Sequence, residues 1–552
     1  MTVIPADLVL TGGVVHTMDP VTTTAQAVAV TGGRIVAVGT AEQVGELVGP
    51  ATRVEDLAGR TLIPGFQDAH LHPLAGGLEM LSCDLTDLDR AGCLAVVARY
   101  ADDQPDAEWI TGGGWLMAAF PGGLPLAADL DQVTGDRPAF LPNRDHHGAW
   151  VNTAALRRAG IDATTEDPVD GRIERDAAGH PTGVLHEGAM ALVERHVPKP
   201  TMDQQVTAML ATQSMLHALG ITGWQDAIVG EYPGIPNGIP VYRELIERGQ
   251  LTARVRGSLW WQRHRGVEQL ETHLQTRQLA CGRLSLGAVK IMADGVCENF
   301  TAATLTPYLD GHGHSSENTG ISFFSAAELT DALDALHGAG FQAHIHTIGE
   351  RAVREALDAI ESAIDRHGRK DLRHHLAHLQ IVHPQDIPRF GKLGVVANMQ
   401  PLWAYADDQM VELTIPYLGA VRSGWQYPFA SLAAHGAALA MGSDWPVSSP
   451  NPLWGMHVAV NRTSYRDDED PAGPAHRPFL AGERLDAATV LRAATLGSAR
   501  VNHLDADTGS ISVGKAADLV VLDADPLAVP ADQLRHITVQ ATYVDGVTVF
   551  RR

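Results

Sequence analysis

In the second half of the chain, short apolar segments alternate with helical ones, and this alternation restricts the fold more than any other feature. GFQAHIHTIG precedes ERAVREALDAIESAIDRHG, in which Ala352, Val353, Ala356, Leu357, Ile360 and Ile364 recur at helical spacing. HHLAHLQIV leads through HPQDIPRFGKLG to the apolar VVANMQP, and SLAAHG leads to AALAMGSDWP. Strand, helix and strand in series build a parallel sheet, either closed as a barrel or open and doubly wound. A length of 552 residues, 45% hydrophobic and 19% charged, supplies a large core and argues against disorder.

The two ends read differently. DLVLTGGVVHTMD, AVAVTGGRIVAVG and TRVEDLAGRTLIPG near the start are β-branched runs broken at turn positions, and so are GSISVGKAADLVVLDADP and HITVQATYVDGVTVF at the finish. Within the last, Asp545-Gly546 between apolar runs is a hairpin signal. These ends predict a small sheet domain assembled from residues 1–62 and 483–552 around an α/β body over 63–482. WITGGGW, RPAFLPNRDHHGAWVNTAAL and DGRIERDAAGHPTGVLHEGAM are turn-rich, and residues from about 75 to 280 are expected to form a large insertion. Helical pattern resumes within it at TMDQQVTAMLATQSMLHALG.

Charge and cysteine usage narrow the partners. Lys and Arg number 41 against 65 Asp and Glu, a net charge of −24, and no basic run offers a local exception. Such a chain repels nucleic-acid phosphate. No apolar run approaches the roughly 20 residues of a membrane helix, and MTVIPADLVLTGG lacks the features of a signal peptide. Four cysteines without a CxxC pair are too few for a disulfide scaffold. The expectation is a cytoplasmic protein acting on a small molecule, with a two-fold homodimer as the commonest assembly.

The chemistry is written in the 26 histidines. His70 and His72 in PGFQDAHLHP stand at i and i+2, which on a strand project to one face and can reach one cation. HxH pairs also arise on surfaces and in cores. His344 and His346 form a second pair, His374, His375 and His378 a cluster, and Asp444 in GSDWP follows another apolar run. Each has a plain structural reading: a packed core histidine, a solvated pair, a helix N-cap. On strands of one barrel their carboxyl ends would converge on one mouth. Lys290, inside the apolar GAVKIMADG, is costly to bury as a charge. It either pairs with an acid such as Asp294 or is held neutral and modified to a carbamate.

These residues lie in a longer series: PGFQDAHLHP, WITGGGW, GRIERDAAGHPTGVLHEGA, VKIMADG, HTIGERAV, GSDWPV and GSISVGKAADLVVLD. In this order, over nearly the whole chain, they resemble the amidohydrolase superfamily, in the branch called amidohydrolase family 3. The resemblance implies an α/β fold: a distorted (β/α)8 barrel with a β-sandwich built from both termini. It implies that His70 and His72 bind the more buried metal. Lys290, as its carbamate, would bridge to a second metal held by His346 and His378. Asp444 would touch the first metal and exchange protons with the attacking water. His346 rather than His344 matches, because it directly precedes TIGERAV. Glu350 departs from the pattern, standing where the family usually has Asp.

One or two divalent cations per subunit are implied. Imidazole and carboxylate donors suit zinc, though iron, manganese and nickel accept the same set. The implied activity is hydrolysis of a C–N bond in an amide or N-acyl group, with deformylation of N-substituted formamides among the branch's activities. Alternatives are deamination, opening of a cyclic amide or imide, or a non-catalytic binding protein on the same scaffold. Trp115, Asn299, Gln400, Trp403 and Trp445 lie in or near the motifs and either line a substrate pocket or, for the tryptophans, fill cores. Cys297 reads as a small buried hydrophobe. GxSxG, HExxH and PCxxC are missing. GSISVGKA places Ala516 where a phosphate loop needs Ser or Thr, and reads as a β turn.

Overall fold

The computed structural model describes residues 4–232, 235–467 and 469–552. Eight parallel strands form its centre: β1 (Phe66–Leu71), β2 (Ile221–Val229), β3 (Arg254–Trp260), β4 (Leu284–Met292), β5 (Gln342–Thr347), β6 (His375–His378), β7 (Val396–Met399) and β8 (Ala438–Met441). They pair in the order β8-β7-β6-β5-β4-β3-β2-β1. This is a (β/α)8 barrel with a distorted seam. Between the four-residue β8 and β1, side chains do part of the closing. Asn398 Nδ2 donates to Ala69 O (2.9 Å) and Asn502 Nδ2 to Asp68 O (3.1 Å), while Asp444 N–H donates to His70 O (2.7 Å).

The helix expected after HTIG runs from Glu350 to His367, and Ala352, Val353, Ala356, Leu357 and Ile360 are fully buried against the barrel. A second expected helix, Met202–Ala218, starts at a capping box in which Thr201 and Gln204 exchange side-chain and backbone hydrogen bonds.

The insertion is narrower than the sequence predicts. A separate six-stranded sheet spans Cys83–Asp84 to Pro181–Glu187, whereas β2 and β3, inside the expected 75–280 stretch, belong to the barrel. ITGWQDAIV is buried at almost every position, so it carries no period-two alternation to announce a strand. The short helix Ser498–Val501, expected with the terminal domain, instead lies on the barrel seam, where Ser498 Oγ donates to Met441 O (2.9 Å).

Both termini do meet in one sheet. Thr61–Pro64 pairs antiparallel with Leu519–Leu522, placing Val520 opposite Ile63. Leu10, Val28, Leu62, Leu519 and Tyr543 share its core. Asp545 and Gly546 turn the last hairpin with φ of 49° and 71°, as a type I′ turn requires. GSISVGKA turns at Gly514, as expected.

Arg254 at the start of β3 ties this sheet to the barrel. Its guanidinium donates twice to Asp518 (2.7 and 3.2 Å), whose side chain is fully buried, and also reaches Asp545. Arg254→Ala leaves that carboxylate without its cation and is expected to cost about 3 kcal/mol. The measurement is the denaturant midpoint, with Arg254→Lys recovering part of the loss because a point charge cannot make both bonds.

Candidate active site

The carboxyl ends of five barrel strands converge on a cavity of about 250 Å³. β1 carries His70, with His72 just past its end. β4 carries Lys290, β5 His346 and β6 His378, and Asp444 follows β8. All six line the cavity. Asp444 Oδ1 is 3.0 Å from Nε2 of both His70 and His72, and Oδ2 is 3.8 Å from His378 Nδ1. The ligand atoms of His70, His72 and Asp444 lie within 4.8 Å of one another. The His346 and His378 rings are 4.4 Å apart. The HxH spacing therefore does what a strand predicts.

Electrostatics suit the imidazoles to a cation. Burial lowers His70 to about 3, reinforced by Lys290, and holds His346 and His378 well below the usual range. The rings are neutral donors of lone pairs. Burial opposes ionisation of Asp444, but His70, His72 and His378 hold it well below the carboxylate range. Burial also lowers Lys290 to about 7, with Asp444 opposing. Among the described residues, His72 Nδ1 and His378 Nδ1 are buried without a hydrogen-bond partner, and His70 Nε2 faces the Asp444 carboxylate without hydrogen-bond geometry. Orphaned nitrogens around a carboxylate are what a metal ion would satisfy, so the donor set fits the implied cation.

A second layer of side chains orients these groups. Asp68, itself buried, accepts from the backbone N–H of His70 (2.9 Å) and Ser443 (3.1 Å). Gln400 accepts from the N–H of His378 (2.6 Å), and Trp403 stacks on its ring at 5.1 Å and 3°. His344 is neither a surface residue nor idle packing. Its Nε2 meets His70 Nδ1 at 2.8 Å and its Nδ1 meets Ser258 Oγ at 3.1 Å. A proton on His70 Nδ1, donated to His344, leaves Nε2 free for a cation. His344→Ala is expected to weaken metal binding about 10- to 100-fold, read by competition with a chromophoric chelator.

The remaining candidates divide. Trp403 lines the cavity. Trp115 does not: it packs against Phe120 and Trp150 in the core of the inserted sheet, its indole donating to Leu141 O (2.8 Å). A large ring satisfied inside an apolar core has nothing left to offer a ligand. Trp445 is buried against Gly76, where a Cβ would sit 2.4 Å from its ring. Asn299 and Gln400 lie behind the cavity wall, bonding His147 O and His378 N–H. Cys297 sits in an apolar cluster with Val296 and Tyr308, as expected of a small hydrophobe. Glu350 is buried at its helix start, accepting from Leu305 N–H (3.0 Å).

Sequence reasoning missed the inserted sheet's own contribution. His147 and Glu187 line the same cavity, their side chains 2.8 Å apart. Burial opposes charge on His147, but Glu187 raises it to about 9. The only signal was the doublet in DHHGAW. Backbone strain gathers here too: His146, Glu187, His378 and Asp444 all hold φ between 52° and 77°, conformations retained where the surroundings over-determine them.

Fold and site together define the class, a metal-dependent barrel hydrolase, and the family it matches gives it carbon–nitrogen bonds. The comparisons agree. A model described as "Amidohydrolase family" matches residues 53–550, and the chain belongs to that family. It is 31% identical to Protein LONG AFTER FAR-RED 3 of Arabidopsis thaliana, over 99% of this chain and 92% of that one. It is 29% identical to the N-substituted formamide deformylase of Arthrobacter pascens, over 99% and 98% of the two chains. An uncharacterized metal-dependent hydrolase from Pyrococcus horikoshii shares the fold, with a TM-score of 0.73 at 24% identity over 95% and 99% of the chains.

Proposed function

We propose that this amidohydrolase cleaves the amide bond of an N-acylated amine, with formyl as the preferred acyl group and an apolar substituent on nitrogen. The observation carrying this reading is the placement of the Asp444 carboxylate 3.0 Å from both His70 and His72 on the wall of the cavity. The likeness to a formamide deformylase over nearly the full length supports the acyl choice. The apolar substituent is supported by Ile228, Tyr232 and Trp260 on the β2–β3 arc of the mouth, next to the polar Gln262, Arg263 and His264.

His70, His72 and Asp444 would hold one divalent cation, and Lys290 (as its carbamate), His346 and His378 a second; one or two zinc ions per subunit suit these donors. When bound, such a cation polarises a carbonyl and lowers the pKa of a coordinated water from 15.7 to about 7. Asp444 takes a proton from the attacking water as its oxygen bonds the carbonyl carbon. It then delivers that proton to nitrogen as the C–N bond breaks, giving a carboxylic acid and an amine. Trp403, stacked on His378, keeps that imidazole in register and closes one side against water.

The same reading places the enzyme in the cytoplasm, supported by four free cysteines, with no nucleic-acid partner, supported by a net charge of −24, and takes a two-fold homodimer as the commonest assembly. No described helix is long and apolar enough to cross a membrane. Its domains are a terminal sheet from both chain ends, the barrel, and the inserted sheet. The test is a panel of N-formyl and N-acetyl derivatives of alkyl and arylalkyl amines, with the released amine quantified. Turnover of formyl compounds at least tenfold above acetyl ones is expected. Turnover confined to cyclic imides or to exocyclic amino groups would replace this reading by one of the alternatives.

A further inference from the structure

Two turn-rich segments, RPAFLPNRDHHGAWVNTAAL and DGRIERDAAGHPTGVLHEGAM, meet over the barrel mouth. Gly148–Val151 pairs antiparallel with Pro181–Glu187, with Gly148 opposite His186. His147 and Glu187 therefore emerge side by side, and Glu187 N–H donates to His147 O (3.1 Å). The His147 ring donates from Nδ1 to Glu187 Oε1 (2.8 Å), and Thr301 Oγ1 donates to the same oxygen (2.9 Å). His147 N–H is bound by Asp145 Oδ1 (2.8 Å). A Cβ at Gly295, just beyond β4, would lie 2.5 Å from Glu187 Oε1, so the loop from the barrel closes tightly against the pair. The imidazole is tethered through Nδ1 and the backbone of His147 on both its N–H and its carbonyl.

The ring faces the cavity. With Nδ1 committed, Nε2 is the remaining polar atom; it has no hydrogen-bond partner among the described residues, and the ring lines the cavity 5.5 Å from the ring of His346. Glu187 is a buried carboxylate, and such an anion is stable only opposite a cation. Arg263, on the same wall, is 3.3 Å from Asp170 and also stabilises the charge on Glu187. The carboxylate on Nδ1 holds the ring with Nε2 facing the cavity, and an imidazolium in this place donates from both nitrogens.

We propose that His147 is a catalytic residue supplied by the inserted sheet, donating from Nε2 to the acyl oxygen as that oxygen takes up charge, with Glu187 as its positioning residue. This rests on the hydrolytic reading above. It also gives the insertion a role: the sheet over the mouth completes the site as well as covering it. A preorganised donor aimed at a developing oxyanion is worth about 10²- to 10³-fold in kcat.

The experiment compares the native protein with His147→Ala, His147→Gln and Glu187→Gln, each reconstituted with zinc. Metal content, kcat and KM for an N-formyl arylalkylamine, and calorimetric binding of an alkylphosphonate that mimics the tetrahedral species are measured. His147→Ala is expected to lower kcat about 10²- to 10³-fold and to weaken phosphonate binding similarly, with KM and metal content nearly unchanged. His147→Gln, which keeps an N–H donor, should recover part of both, and Glu187→Gln should lose about tenfold. A His147→Ala protein with native kcat and only a raised KM would make the residue a wall and overturn the proposal. Loss of metal in that variant would make it a ligand and overturn it equally. A native protein that neither hydrolyses the amide nor binds the phosphonate would remove the hydrolytic reading, and this one with it.

Discussion

Asp444→Asn is expected to lower kcat about 10³- to 10⁴-fold while leaving the barrel folded. The side chain is the proton carrier for both halves of the proposed reaction, and asparagine cannot accept the water's proton; a positioned general base contributes about 10²- to 10⁴-fold. The fold survives because the seam contact made by this residue is its backbone N–H to His70 O, at 2.7 Å. His70 and His72 also lose the anion that each approaches at 3.0 Å. Steady-state kinetics beside metal analysis and a thermal melt separate the effects. A variant that melts like the native protein yet retains kcat within tenfold would remove Asp444 from the proton path.

Lys290→Ala should lower the metal content of protein purified without chelator and with bicarbonate present. About two equivalents are expected in the native protein, falling to one or fewer in the variant. Lys290 is 3% exposed, and among the described residues its amine has no hydrogen-bond partner or ion pair within 4 Å. Burial lowers it to about 7, with Asp444 opposing, so near neutral pH a substantial fraction is the free amine that can add carbon dioxide. Register pairs it with His344 on β5 and Trp260 on β3. It thus sits where its carbamate would face the same cavity as His346 and His378. One equivalent in both proteins would leave a mononuclear hydrolase and no bridge. No metal in either would bring forward a binding protein on this scaffold.

The candidate ligands are legible in the sequence because they sit at strand ends, where local spacing carries information. His70, His72, Lys290, His346, His378 and Asp444 were each marked by an apolar run that a polar side chain interrupts or ends, and the barrel brings all six to one cavity. The composite terminal sheet was legible for a similar reason: β-branched runs and the Asp545-Gly546 turn are local signals, and Thr61–Pro64 pairs with Leu519–Leu522 across the whole chain. Trp115 shows the limit. Its motif placed it near the chemistry, but packing against Phe120 and Trp150 took it into the inserted sheet's core.

Strand–helix alternation, the residue types gathered at the cavity and the acidic, cysteine-poor character of the chain are all readable from the residues alone. These depend on periodicity and composition, which are properties of neighbours along the chain. That β2 and β3 belong to the barrel, that His344 braces His70, and that His147 meets Glu187 over the mouth emerges from the folded chain alone. Strands buried on both faces have no alternation to read, and contacts such as the 2.8 Å approach of His344 to His70, 274 residues apart, follow from sheet register and barrel closure.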